Sequence, residues 1–284
     1  MSIRPIPCLL ALAAAWSAPG QAASSFDGCS GTIASLPAVI STQGTWCLQA
    51  DRSTPVATGA AIRIDANNVT IDCNGFKLTG LAAGAGTATI GIQAPDRVNV
   101  AVRDCHVRGF RIAVQGSGSA FRVLDNRLES STQRAVSISG EQHTIRGNLV
   151  TDTGGSTLGD GAALGIVLSG SGDVLDNTIG GVVARAGGGG SAWGIQVSDA
   201  DGPALANVVG NRIRDVVPDG PSGIGIRNVS TGPVTIADNV LFGAGAGTGI
   251  SCTNTKGAVR GNSVLRFATG LSGCPSDGGN VVRN

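Results

Sequence analysis

The sequence predicts an all-β solenoid of stacked coils, a single right-handed parallel β-helix. The first observation is a register of two apolar residues flanking a small one, with a fourth residue, most often polar, behind them. It runs Ile90-Gly91-Ile92-Gln93, Ile112-Ala113-Val114-Gln115, Val136-Ser137-Ile138-Ser139, Leu164-Gly165-Ile166-Val167, Trp193-Gly194-Ile195-Gln196, Ile224-Gly225-Ile226-Arg227 and Ile250-Ser251-Cys252-Thr253. Period-two alternation marks strands with one buried face, and a recurrence of roughly 20 to 35 residues marks repeats that bury that face only by stacking. The second observation is a following strand centred on Asn: VLDNRL (Val123–Leu128), IRGNLV (Ile145–Val150), VLDNTI (Val174–Ile179), VVGNRI (Val208–Ile213), TIADNVL (Thr235–Leu241) and VRGNSV (Val259–Val264). The third is composition. The 45 glycines and the absence of tyrosine describe tight turns and thin side chains, while 42% hydrophobic residues placed in phase exclude a disordered chain.

The chain opens with MSIRPIPCLLALAAAWSAPGQAAS, which reads as a secretory signal over residues 1–23. Arg4 supplies the basic start, Cys8 to Trp16 the apolar run, and Gly20 and Ala22 the small residues before cleavage; the run is too short for a membrane span. The expected location is therefore secreted or periplasmic. Six cysteines remain, and in an exported protein they read as three disulfides. TGISC and TGLSGC place Cys252 and Cys274 near one phase of consecutive coils, which pairs them. Cys73 and Cys105 pair similarly, with a shift in phase, and Cys29 with Cys47 follows by elimination.

The ladder residues Asn126, Asn148, Asn177, Asn211, Asn239 and Asn262 are separated by 22, 29, 34, 28 and 23 positions. The extra residues fall after the Asn strand, in TDTGGSTLGDG, VVARAGGGGSA and VVPDGPS, and insertions confined to one corner are what a solenoid tolerates. A leucine-rich repeat also places Asn after a strand, but no helix-forming stretch separates these strands and Leu does not dominate the core positions. The Asn residues are expected to stack amide over amide along one edge. The preceding residue alternates through Asp125, Gly147, Asp176, Gly210, Asp238 and Gly261, which reads as charge spacing between coils about 4.8 Å apart.

With the register taken as a straight strand, Gly91, Ala113, Ser137, Gly165, Gly194, Gly225 and Ser251 form an outward column of small residues. Beside it runs a second column of Gln93, Gln115, Ser139, Val167, Gln196, Arg227 and Thr253, with Arg63 and Asp65 at these positions in the first coil. This makes a shallow floor with amide-bearing walls suited to an extended chain of hydroxyls, with Arg63, Asp65, Gln93, Gln115, Gln196 and Arg227 as binding residues. Trp193 shares the phase of Leu164 and Ile224 and is expected to point inward, away from any ligand.

NNVTIDCNGFKLTG (Asn67–Gly80), NVAVRDCHVRGF (Asn99–Phe110) and the recurring Gly-Ile and Asn pattern resemble the secreted right-handed parallel β-helix proteins of bacteria in the pectin-lyase-like superfamily. The resemblance covers residues 60–284. It identifies LPAVISTQGTWCLQAD, within residues 24–59, as the N-terminal cap that shields the first strand edges. Right-handedness agrees with the crossover preference of parallel strands.

Catalytic members of that superfamily include polysaccharide lyases, which commonly use clustered carboxylates on calcium, and hydrolases, which need two carboxylates across the bond. No such local signature is present. Asp152, Asp160, Asp199, Asp201 and Asp219 are the acidic candidates, and each sits where Asp is ordinarily a turn residue. His106 and His143 are the only histidines, in different phases, so no metal site is expected from them and no cofactor is implied, Ca2+ excepted if the chain is a lyase. A net charge of +1 with scattered basic residues implies no nucleic acid and no membrane surface as partner. The expectation is a non-catalytic β-helix that contacts a polysaccharide or another surface component; the alternative is a polysaccharide lyase or glycoside hydrolase with an atypical site.

Overall fold

The computed structural model describes residues 28–284. The expected signal over residues 1–23 lies outside them. Each coil runs strand, bend, strand, turn, strand, corner, as in Ile90–Val98, Val100–Arg103 and His106–Arg108, followed by Ile112–Ser119, Arg122–Leu124 and Arg127–Glu129. The first two strands of each coil build an 18-stranded larger sheet and the third builds a 10-stranded smaller sheet. All pairings are parallel, which stacks like residues. Ile92, Val114, Val136, Ile166, Ile195, Ile226, Ile250 and Leu271 fall in one row. Opposite them on the smaller sheet, Leu78, Val107, Leu128, Val150, Ile179, Ile213, Leu241 and Val264 fall in another. Apart from Leu271 at the last coil these residues are buried, and burial stabilises by about 1.5 to 3 kcal/mol for each side chain.

The repeat begins before residue 60. Ala38–Ile40, Gly44–Cys47 and Arg52–Ser53 pair with Ile62–Ile64, Val69–Asp72 and Leu78–Thr79, so much of the stretch read as a cap is itself a coil. It carries no ladder Asn and only short apolar strands, which hid its phase. Beyond it, Gly31–Thr32 pairs with Trp46–Cys47 and the Cys29–Cys47 disulfide fastens it. Cys73 bonds Cys105 and Cys252 bonds Cys274, so the two pairs read from phase and the one assigned by elimination are all present.

The six ladder residues Asn126, Asn148, Asn177, Asn211, Asn239 and Asn262 are buried in one stack, and Asn280 continues it. Each Nδ2 donates to the Oδ1 of the next, at 3.0, 2.9, 3.0, 3.0, 2.9 and 3.0 Å from Asn126 to Asn280. The same Oδ1 accepts the backbone N–H of the preceding ladder residue, and each Nδ2 also reaches a backbone carbonyl such as Val123 or Ile145. Buried polar groups are tolerable only when so paired. At the start of the stack, Cys105 N–H donates to Asn126 Oδ1.

The Asp and Gly alternation before the ladder has a steric cause. All six residues take positive φ, between 54° and 71°. A Cβ at Gly147, Gly210 or Gly261 would overlap Oδ1 of Asp125, Asp176 or Asp238 respectively. The carboxylate of one coil thus fills the space that a side chain on the next would need, and the separation of charge comes with it.

Two expectations about the opening register are corrected. First, Val136 pairs with Val114 and Ile250 with Ile226, two positions away from the expected alignment. The small position is therefore held by Gly91, Ala113, Ala135, Gly165, Gly194, Gly225 and Gly249, while Ser137 and Ser251 replace Ser139 and Thr253 in the polar column. Second, the small residues do not face solvent. A Cβ on Gly194 would lie 2.7 Å from Ile213 Cγ2 and 2.6 Å from the Gly225 carbonyl, and one on Gly91 would lie 2.9 Å from Val107 Cγ1. The chain bends at this position, and the residue there turns toward the smaller sheet. Small size is required by packing.

Candidate functional site

The polar column follows the outer face of the larger sheet. Arg63, Gln93, Gln115, Ser137, Val167, Gln196, Arg227 and Ser251 occupy successive coils in register. Strand alternation places them outward because Ile92, Val114 and their counterparts point inward. At the N-terminal end, Arg63 Nε is 2.9 Å from Asp65 Oδ1 and its Nη1 donates to Gln93 Oε1 at 3.4 Å. Gln93 Nε2 in turn donates to Gln115 Oε1 at 3.2 Å. A chain of donors and acceptors therefore runs across three coils, ending in the Gln115 amide.

That amide enters a groove of about 290 Å³ lined by Gln93, Ala94, Pro95, Gln115, Gly116, Ser117, Ser137 and Ser139. Ala94 and Gly116 turn inward, where a Cβ on Gly116 would meet the buried Phe121 ring, so they give the groove only backbone, and amides and hydroxyls supply its polar groups. Sequence reading found the Gln residues but not Ser117 or the placement of Ser137, since the two-residue slip keeps the inward and outward alternation unchanged.

Gln196 and Arg227 form a separate cluster beyond buried Val167. Arg227 Nη1 donates to Gln196 Oε1 at 3.1 Å, and its guanidinium carbon lies 4.4 Å from the centroid of the Trp193 ring. Trp193 is partly exposed and donates from Nε1 to Ser222 Oγ at 3.1 Å, so it lies on the outer side rather than in the core as expected. The bend at Gly194 breaks the period-two phase that placed it inward. Burial holds the Arg227 pKa below the usual guanidinium range. With Arg227 stacked on it, Trp193 does not offer that face to a sugar ring.

Three of the acidic candidates, Asp199, Asp219 and Asp160, hold loops, whereas Asp201 borders a separate cleft beside Glu141. Asp199 accepts from Ser230 Oγ at 2.6 Å, Thr231 Oγ1 at 2.7 Å and Ala204 N–H at 2.9 Å, and these bonds, the Ser230 one foremost, hold its pKa far below the usual carboxylate range. Asp219 accepts from Gly189 N–H at 2.7 Å, and that bond with other amides of the same glycine loop lowers its pKa. Asp160 accepts from Ala162 N–H at 3.0 Å, and Asp152 sits in a left-handed turn. Neither these nor Asp201 line the groove. His106 Nε2 lies 2.6 Å from Glu129 Oε2 on the smaller sheet, whereas His143 is buried under the larger one, so the two do not meet. Among the described residues no three of His, Cys, Asp and Glu gather as metal ligands.

The family described as "Right handed beta helix region" matches residues 91–264. The chain belongs to that family. Solved structures similar to the chain include the Dettilon tailspike protein gp208, at 13% identity and a TM-score of 0.46, covering 89% of this chain and 56% of that one. DFA-IIIase from Arthrobacter chlorophenolicus A6 in complex with GF2 matches at 15% identity and a TM-score of 0.44, covering 79% of this chain and 61% of that one. The same enzyme without its lid matches at 15% identity and 0.43, covering 81% and 65%. The β-helix thus spans less than two thirds of the length of each. No curated protein matches the sequence.

Proposed function

We propose that this β-helix binds an extended polysaccharide, or a similar hydroxyl-rich surface polymer, along the outer face of its larger sheet without cleaving it. The observation that carries the reading is the open groove in which the linked amides of Gln93 and Gln115 meet the hydroxyls of Ser117, Ser137 and Ser139. Amides and hydroxyls both donate and accept, as sugar hydroxyls do, and parallel coils present them at about 4.8 Å intervals that an extended polymer can follow. Catalysis by hydrolysis needs two carboxylates facing one bond, and no carboxylate lines this groove.

Three disulfides fit an oxidising compartment outside the cytoplasm, and no helix among the described residues is long and apolar enough to cross a membrane. An exported protein in that compartment meets cell-surface and environmental polymers. The test is a panel of neutral and acidic polysaccharides, scored both for retention of the protein and for new reducing or unsaturated ends. Retention without new ends is expected. New ends on any polymer, or retention by none of them, would contradict the reading.

A further inference from the structure

Arg134 stands in a row on the larger sheet whose other members from Ile90 to Ile224 are apolar. Its register neighbours are Ile112 and Leu164, and Trp193 and Ile224 follow. Its Nε is buried without a hydrogen-bond partner, and its Nη1 makes only a long contact of 3.4 Å with Ser137 Oγ in the groove. Arg111 lies beside it, donating from Nε to Gln133 Oε1 at 2.8 Å. Neither arginine is in any ion pair found among the described residues. Burial and the charge of Arg111 both press the Arg134 pKa downward. A partly buried cation beside a second cation, with no carboxylate to offset either, costs stability unless something else supplies the negative charge.

Two corner loops meet across this corner. Thr157 N–H donates to the Ala85 carbonyl at 3.1 Å, joining two corner loops that are three coils apart. The link spans the short corners that carry Arg111 and Gln133, and Ser156 N–H ties it down to the Thr132 carbonyl at 3.0 Å. The hydroxyls of Ser131 and Thr132 in that corner are buried and have no partner.

We infer that Arg111 and Arg134 hold an oxyanion at this bridged corner, a carboxylate or sulfate group. A guanidinium fork matches such a group geometrically, and charge-assisted hydrogen bonds are about twice as strong as neutral ones. The oxyanion arrives as a free ion or as a substituent on a polymer in the adjoining groove, and the site does not depend on which.

Sulfate is titrated into the protein at constant ionic strength, with chloride as the balancing ion, by calorimetry and thermal shift. Saturable binding of sulfate but not chloride is expected. Arg134→Met, whose unbranched stem refills the space between Ile112 and Leu164, should lose at least about tenfold in affinity while melting no lower than the parent. Arg111→Gln gives a second reading at the partly buried edge of the site. A uronate oligosaccharide that competes with sulfate identifies the polymer as the source, and one that does not identifies the free ion. The neutral, carboxyl-reduced oligosaccharide reports on the groove alone, so its failure to bind counts against the polymer reading and not against this site. Absence of saturable binding by both sulfate and uronate, or binding untouched by either substitution, would overturn the inference.

Discussion

Asn177 Oδ1 accepts two hydrogen bonds from Asn148, one from its side-chain amide at 2.9 Å and one from its backbone N–H at 3.0 Å. One oxygen thereby fixes both the side chain and the turn of the preceding coil. Asn177 repeats the arrangement toward Asn211, so the stack carries register from coil to coil.

Replacing Asn177 with Ala should strand the Asn148 N–H and the Ile145 carbonyl in a site with no access to water. At about 1 to 3 kcal/mol for each unpaired group, the expected loss is about 2 to 6 kcal/mol in denaturant unfolding. Asn280→Ala, at the partly exposed end of the stack, should cost clearly less.

The Asp and Gly alternation predicts coupling between neighbouring coils. Gly210→Ala has a φ of +71° to accommodate and must also displace the Asp176 carboxylate. In an Asp176→Gly background only the backbone cost of about 1 to 2 kcal/mol remains. A double-mutant cycle should therefore give an interaction of about 1 kcal/mol or more, and simple additivity would restore charge spacing as the cause.

The inward small column makes a further prediction. Gly194→Leu should destabilise the fold as severely as Ile195→Ala, about 2 to 5 kcal/mol, because its side chain would enter the space held by Ile213 and the Gly225 carbonyl. Equal thermal stability of Gly194→Leu and the parent would return this column to the surface.

His143 gives the fold a pH dependence of known sign. It is buried, its Nδ1 accepts the Phe121 N–H at 3.2 Å, and burial lowers its pKa below 6.5. The unfolded chain then takes up a proton before the folded one does, so this group's contribution is complete above about pH 6.5 and is lost as pH falls toward the lowered value. His143→Asn should flatten the fall of unfolding free energy as pH drops below about 6.5, measured against the parent.

The sequence made the stack legible because Asn recurs at the one turn where its amide has a fixed partner above and below. It made the cysteine pairs legible for the same reason, since parallel coils convert phase into proximity. The Trp193 orientation and the inward glycines were not legible. An apolar-small-apolar triplet reads identically whether the chain is straight or bends at its centre, and only neighbouring side chains such as Ile213 and Val107 reveal the bend. Arg134 escaped notice for a related reason, as a two-residue slip at Val136 removed it from the row in which its charge is an anomaly. The polar columns were partly legible: Gln93, Gln115, Gln196 and Arg227 stand in one column, yet the groove gathers only the first two.

The claim that the groove binds a polysaccharide is tested most directly by binding isotherms for the polymer retained in the panel, comparing the parent with Gln93→Ala/Gln115→Ala and with Arg212→Ala on the smaller sheet. The account predicts that the double substitution weakens binding by about tenfold or more, as loss of two or more hydrogen bonds implies, while Arg212→Ala leaves it unchanged. Equal affinity of the parent and the double variant, with both proteins folded, would contradict it.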